Sequence, residues 1–110
     1  MVLNTTGWGR TEVDGKNSDT LRGVSLEFVS QSECAEIYSK NSPHNITNKM
    51  VCAGADGKGG CHGDSGGPLT WNNVQVGITS WGEHCGQYPG VFTKVSVLLS
   101  WIKDTIASNI

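Results

Sequence analysis

Between Leu21 and Val29 the chain reads Leu-Arg-Gly-Val-Ser-Leu-Glu-Phe-Val, with Val24, Leu26 and Phe28 alternating with Ser25 and Glu27. A period of two predicts a strand with one buried face. Asn73 to Trp81 repeats the pattern, with Val74, Val76, Ile78 and Ser80 on one face, and Gly90 to Val95 predicts a third strand. Ser32 is expected to cap a short helix running to Lys40, with Glu33 in its first turn. Ser96 is expected to cap a second helix, in which Leu98, Leu99, Trp101, Ile102 and Ile106 form an apolar stripe at helical spacing. Thr11 to Thr20 and Asn41 to Lys49 are polar loops. Glycines crowd the stretch from Gly54 to Gly67, which signals backbone that needs positive φ or close approach. No internal repeat occurs, and the pattern predicts several short strands closed by a helix.

Composition narrows the class. A chain of 110 residues is the size of one domain. With 36% hydrophobic and 16% charged residues, and with 4 cysteines and 4 tryptophans, it is not a disordered segment. The 15 glycines follow no period of three, which excludes collagen. A balance of 8 basic to 10 acidic residues leaves no electrostatic footprint for nucleic acid or an anionic membrane. Apolar stretches such as Val95 to Ile102 are too short to span a bilayer. The first residues lack the basic and apolar regions of a signal peptide, so none is expected within this sequence.

Cys34, Cys52, Cys61 and Cys85 contain no Cys-x-x-Cys pair, and no histidine stands at zinc-ligand spacing from a cysteine pair. No metal and no other cofactor is expected. Four cysteines allow three disulfide pairings, and their presence points to an oxidising compartment. Asn4-Thr-Thr and Asn45-Ile-Thr are N-glycosylation triplets and point the same way.

The chemistry lies in Gly60-Cys-His-Gly-Asp-Ser-Gly-Gly-Pro-Leu69. A serine between glycines on a tight turn presents its hydroxyl freely, and small neighbours let backbone N–H groups converge on a developing oxyanion. A bare Gly-x-Ser-x-Gly would more often be an ordinary turn; the ten-residue run is far more specific. It resembles the nucleophile segment of the trypsin/chymotrypsin family of serine proteases. Thr6-Gly7-Trp8-Gly9, Met50-Val51-Cys52-Ala53-Gly54, Ser80-Trp81-Gly82, Pro89 to Val95 and Trp101-Ile102 resemble further family segments in the same order. The resemblance runs from Leu3 to Asn109. It implies an all-β fold over residues 1–110, one chymotrypsin-like antiparallel β-barrel with a C-terminal helix, and a secreted serine endopeptidase that acts on protein or peptide substrates and meets protein inhibitors.

The same resemblance implies the roles. Ser65 would be the nucleophile, and the N–H groups of Gly63 and Ser65 the oxyanion hole. Asp64 would pair with the α-amino group released by zymogen activation rather than serve as the triad acid. His62 would contact substrate at the pocket rim rather than act as the base. Gly59 and Gly60 would lie at the base of the specificity pocket, with Ser80, Trp81, Gly82 and Gly90 along its strand and walls. An uncharged Gly59 disfavours Lys or Arg and fits a medium or large apolar P1 side chain, as in chymotrypsin. An alternative loop path would bring Asp56 near the pocket. The family implies bridges Cys34–Cys52 and Cys61–Cys85, and it places a third bridge where this chain has Leu3 and Trp71, an apolar pair that can replace it.

The family's catalytic histidine and aspartate come from a first barrel whose motifs are not among these residues. His44, His62 and His84 all lack the required context. The sequence is therefore expected to be the C-terminal half of an enzyme, inactive alone, and to expose an apolar face toward the missing barrel. A non-catalytic protease-like binding module and one chain of a cleaved two-chain enzyme are the alternatives.

Overall fold

Alternation along β1 (Val2–Gly7) buries Leu3 and Thr5 and turns Val2, Asn4 and Thr6 to solvent. The computed structural model of the chain describes residues 1–9, 17–41, 45–54, 65–82 and 88–109. β2 (Arg22–Val29) pairs antiparallel along the whole of β1, with Leu26 opposite Leu3. β3 (Met50–Ala53), β4 (Pro68–Trp71), β5 (Val74–Trp81) and β6 (Gly90–Lys94) complete a closed antiparallel barrel in the order β1-β2-β3-β6-β5-β4. Each of these strands thus has a neighbour on both sides, with β2 meeting β3 only through Phe28–Ala53 and Val29–Cys52. The fold is the chymotrypsin-like barrel with a C-terminal helix that the sequence implied.

Two clusters fill it. Leu3, Leu26, Ala53, Leu69 and Phe92 form the first, flanked by Val24, Val51 and Val76. Gly77 lets the strands meet here: a Cβ at that position would lie 3.1 Å from both Leu69 Cδ2 and Phe92 Cβ. The face of β5 expected to be buried is thus only partly so. Val76 packs on the core, but Gly77 is the buried residue and Val74 and Ser80 are exposed. Likewise, Leu26 is buried on β2, whereas Phe28 at its end is 39% exposed.

Cys34, Tyr38, Cys52 and Val91 form the second cluster, with Val29, Ile46, Met50, Trp81 and Tyr88 around it. It seats α1 (Gln31–Asn41) against the barrel through the Cys34–Cys52 disulfide, whose Cα atoms are 6.4 Å apart. In the chain-entropy account a loop of this length gives about 3 kcal/mol of stability. The helix starts at Gln31, two residues earlier than a cap at Ser32 would place it, and its cap is Ser30. The Glu33 N–H donates to Ser30 Oγ at 3.2 Å and the Cys34 N–H donates to the Ser30 carbonyl at 2.9 Å.

Other boundaries also shift. Asn73 belongs to the turn before β5: Asn72 and Asn73, with φ of 48° and 65°, make the two-residue hairpin that links β4 to β5. Val95 leaves β6 for a 3₁₀ turn (Val95–Leu98) that contains Ser96, so Ser96 does not cap the last helix. No side chain caps that turn. The expected apolar stripe does form on α2 (Leu99–Asn109), but none of that helix is buried. Trp101 is 66% exposed, Leu99 and Ile106 are exposed with it, and Leu98 and Ile102 are half-buried. The loop expected at Thr11 to Thr20 lies largely outside the described residues.

Candidate active site

Ser65 is exposed, and the backbone beside it is fixed by its neighbours. Gly66 has φ of +84° and nothing within 4 Å of where a Cβ would stand, so its glycine answers a backbone requirement and not a lack of room. The Gly66 N–H donates to the Thr79 carbonyl at 2.9 Å, and the Thr79 N–H donates to the Gly67 carbonyl at 2.8 Å. These reciprocal bonds continue the β4–β5 ladder up to the turn. The serine stands three residues before β4, next to a glycine bonded to β5.

Beyond Thr79 the same strand carries Ser80 and Trp81, and Gly82 follows it. A register shift between Thr79 and Trp81 on β5, against β6, accompanies this stretch. Gly82 faces the start of β6: a Cβ there would stand 3.7 Å from Gly90 Cα and 3.7 Å from the Tyr38 hydroxyl oxygen. A Cβ on Gly90 would lie 3.3 Å from Phe92 Cε1. Gly82 therefore lies against Gly90, whereas a side chain on Gly90 would be directed at Phe92 and the Ala53 carbonyl.

Tyr38 backs this wall. Its ring meets Trp81 edge-on at 5.0 Å and Tyr88 at 5.8 Å, and its hydroxyl donates to the Pro89 carbonyl. Edge-to-face pairs set the negative face of one ring against the positive edge of another, which fixes orientation as well as burying area. Pro89 and Phe92 fall in the segment Pro89 to Val95 that the resemblance pointed to, whereas Tyr38 and Thr79 lie outside the segments that carried it. The spacing of Cys34 and Tyr38, one helical turn apart on a short helix, was the signal that could have found Tyr38.

Thr79 carries the one buried, unpartnered side-chain polar atom among the described residues, its Oγ1. Of the residues expected at the site, Ser65 precedes the turn bonded to Thr79, Ser80 and Trp81 follow Thr79 on β5, and Gly82 lies against Gly90 at the start of β6. Gly59, Gly60, His62, Gly63 and Asp64 lie outside the described residues, as do Asp56, His44 and His84. So does the expected Cys61–Cys85 bridge. Cys34–Cys52 is present as expected. Leu3, at one position of the absent third bridge, is buried in the core, while Trp71 at the other is exposed. Among the described residues no three His, Cys, Asp or Glu gather as a metal site.

A six-stranded closed antiparallel barrel followed by a C-terminal helix defines the fold class as chymotrypsin-like. The Trypsin family model matches residues 2–102, and the chain belongs to that family. It is 47% identical over 108 residues to Trypsin alpha of Drosophila erecta, covering 94% of this chain and 41% of that protein. It is 43% identical over 106 residues to Trypsin 5G1 of Aedes aegypti, with 93% and 39% covered. To the Vitellin-degrading protease of Bombyx mori it is 44% identical over 111 residues, with 97% and 41% covered. The chain spans about two fifths of the length of these relatives.

Proposed function

We propose that this chain is the nucleophile-bearing barrel of a secreted serine endopeptidase, one that hydrolyses peptide bonds through an acyl-enzyme at Ser65. The observation that carries the reading is the exposed Ser65 on a turn stitched to β5, whose continuation runs past Trp81 to Gly82, which lies against Gly90. Ser65 Oγ attacks the scissile carbonyl, and the N–H groups of Gly63 and Ser65 hold the oxyanion. Loss of one such donor in this kind of site costs about 2.7–4 kcal/mol of transition-state stabilisation. Asp64 pairs with the new α-amino group after activation, and His62 touches substrate at the rim.

The histidine base and its aspartate come from a first barrel beyond residues 1–110, and these residues alone are inactive as a peptidase. Two observations support a further barrel. The relatives extend well past the matched region, and the apolar stripe of α2 is left open, with Trp101 66% exposed. A soluble chain seldom leaves such a patch without a partner. Secretion fits the Cys34–Cys52 disulfide.

The pocket built on Gly59, Gly60, Gly82 and Gly90 takes an apolar P1 side chain of medium or large size. The test is the full-length activated protein on peptides that differ only at P1, with Ser65→Ala as control. Phe, Tyr or Leu at P1 should give the higher kcat/KM, and Ser65→Ala should abolish both turnover and fluorophosphonate labelling. Preference for Lys or Arg would overturn the pocket assignment and leave the peptidase reading standing; activity in Ser65→Ala would overturn both.

A further inference from the structure

We propose that Asn45 is the N-glycan acceptor of this protein. The sequence offers two triplets, Asn4-Thr5-Thr6 and Asn45-Ile46-Thr47, and the fold treats them differently. Asn4 is held in mid-strand on both sides, opposite Ser25 of β2 and Thr70 of β4. Its Oδ1 accepts a hydrogen bond from Ser25 Oγ at 2.8 Å, and Thr70 Oγ1 donates to its backbone carbonyl at 3.3 Å. Thr5, the middle residue, is buried and donates through Oγ1 to the Pro68 carbonyl at 2.8 Å. Removing this triplet from the sheet for modification would open the barrel.

Asn45 has the opposite setting. Residues 45–47 belong to no helix or strand, and they lead into a turn in which the Met50 N–H donates to the Thr47 carbonyl at 3.2 Å. Asn45 and Thr47 are exposed, while Ile46 between them packs on the cluster of Cys34, Tyr38 and Cys52. The segment is thus anchored from within by its middle side chain; Asn45 and Thr47 are exposed outside any strand, with Thr47 Oγ1 accepting from the Lys49 N–H at 3.2 Å, whereas Asn4 and Thr6, also exposed, are paired within the sheet. The Cys34–Cys52 disulfide supplies an independent observation: it belongs to an oxidising compartment, which in secretory cells is also where N-glycans are attached.

In the transfer, Asn45 Nδ2 bonds to the anomeric carbon of an oligosaccharide carried on a lipid pyrophosphate. The glycosyl carbon–oxygen bond breaks, the lipid pyrophosphate leaves with that electron pair, and the amide proton passes to a base of the transferase. No oxidation or reduction is involved. None of this depends on peptidase activity.

The experiment expresses the full-length protein through the secretory pathway of eukaryotic cells and treats both cell extract and medium with peptide-N-glycosidase. Wild type, Asn4→Gln and Thr47→Ser should each show the mobility shift on digestion; Asn45→Gln and Thr47→Ala should not. Peptide mapping of wild type should find Asn45 converted to Asp by the enzyme. Because transfer precedes export, a variant that folds poorly is still read in the cell extract. A shift that persists in Asn45→Gln, or an unmodified Asn45 in the wild-type peptide, overturns the proposal.

Discussion

The hydroxyl of Tyr38 on α1 donates a hydrogen bond to the carbonyl of Pro89, the residue before Gly90. The two are 51 residues apart, and both are buried. This bond joins the helix held by Cys34–Cys52 to the strand end that faces Gly82. Replacing Tyr38 with Phe keeps the ring contacts with Trp81 and Tyr88 and leaves the Pro89 carbonyl without this donor. An orphaned buried acceptor costs about 1–3 kcal/mol. Urea unfolding of Tyr38→Phe should show a loss in that range, and an unchanged midpoint would mean that Pro89 finds another donor.

Thr79 has the reverse problem. Its Oγ1 is buried without a partner, while its backbone is fully engaged with the serine turn. Thr79→Val keeps the shape and deletes the unsatisfied hydroxyl. A gain on the order of 1 kcal/mol is expected, because a desolvated group without a hydrogen bond is a net cost. Thermal unfolding reads it directly; a fall in stability would show that the hydroxyl is satisfied in solution.

Gly66 and Gly77 are both required, for different reasons. Gly66→Ala meets no atom but places a Cβ on backbone at φ +84°, a strain of about 1–2 kcal/mol. Gly77→Ala drives a Cβ to 3.1 Å from Leu69 and Phe92, and overpacking of that kind costs about 1–3 kcal/mol. The d-alanine analogue at position 66, introduced by semisynthesis, should restore stability, since only handedness opposes the substitution. At position 77 it should not.

The cap of α1 separates two neighbouring serines. Ser30→Ala should destabilise the protein by about 1 kcal/mol through loss of the bond to the Glu33 N–H. Ser32→Ala lies inside the first turn and should change little. Equal losses by chemical denaturation would contradict the assignment of the cap.

Much of the architecture was legible because burial on one face writes a period of two into the chain, as Val24, Leu26 and their neighbours show. β3 and β4, each of 4 residues, are too short to carry a period that stands out from their surroundings. The cap moved from Ser32 to Ser30 because a serine is a good cap at either position and the choice rests on where the chain turns. The stripe on α2 was legible as a pattern, yet a pattern says that a face is apolar and not what covers it.

At the site the division is similar. The run Gly60 to Leu69 is contiguous, so its residue types alone pointed to an exposed serine at position 65, and its resemblance pointed to the family the chain belongs to. Tyr38 and Thr79 could not be recognised in that way, because their importance comes from contacts between segments distant in the chain. Sequence by itself determined the strand periodicity, the serine turn and the need for glycine near it, all properties set by local backbone and side-chain chemistry. Only the tertiary structure decided that β4 and β5 brace the serine, that Gly82 meets Gly90, and that Tyr38 closes the wall behind them. Those are outcomes of barrel closure, and closure is fixed by packing between distant strands.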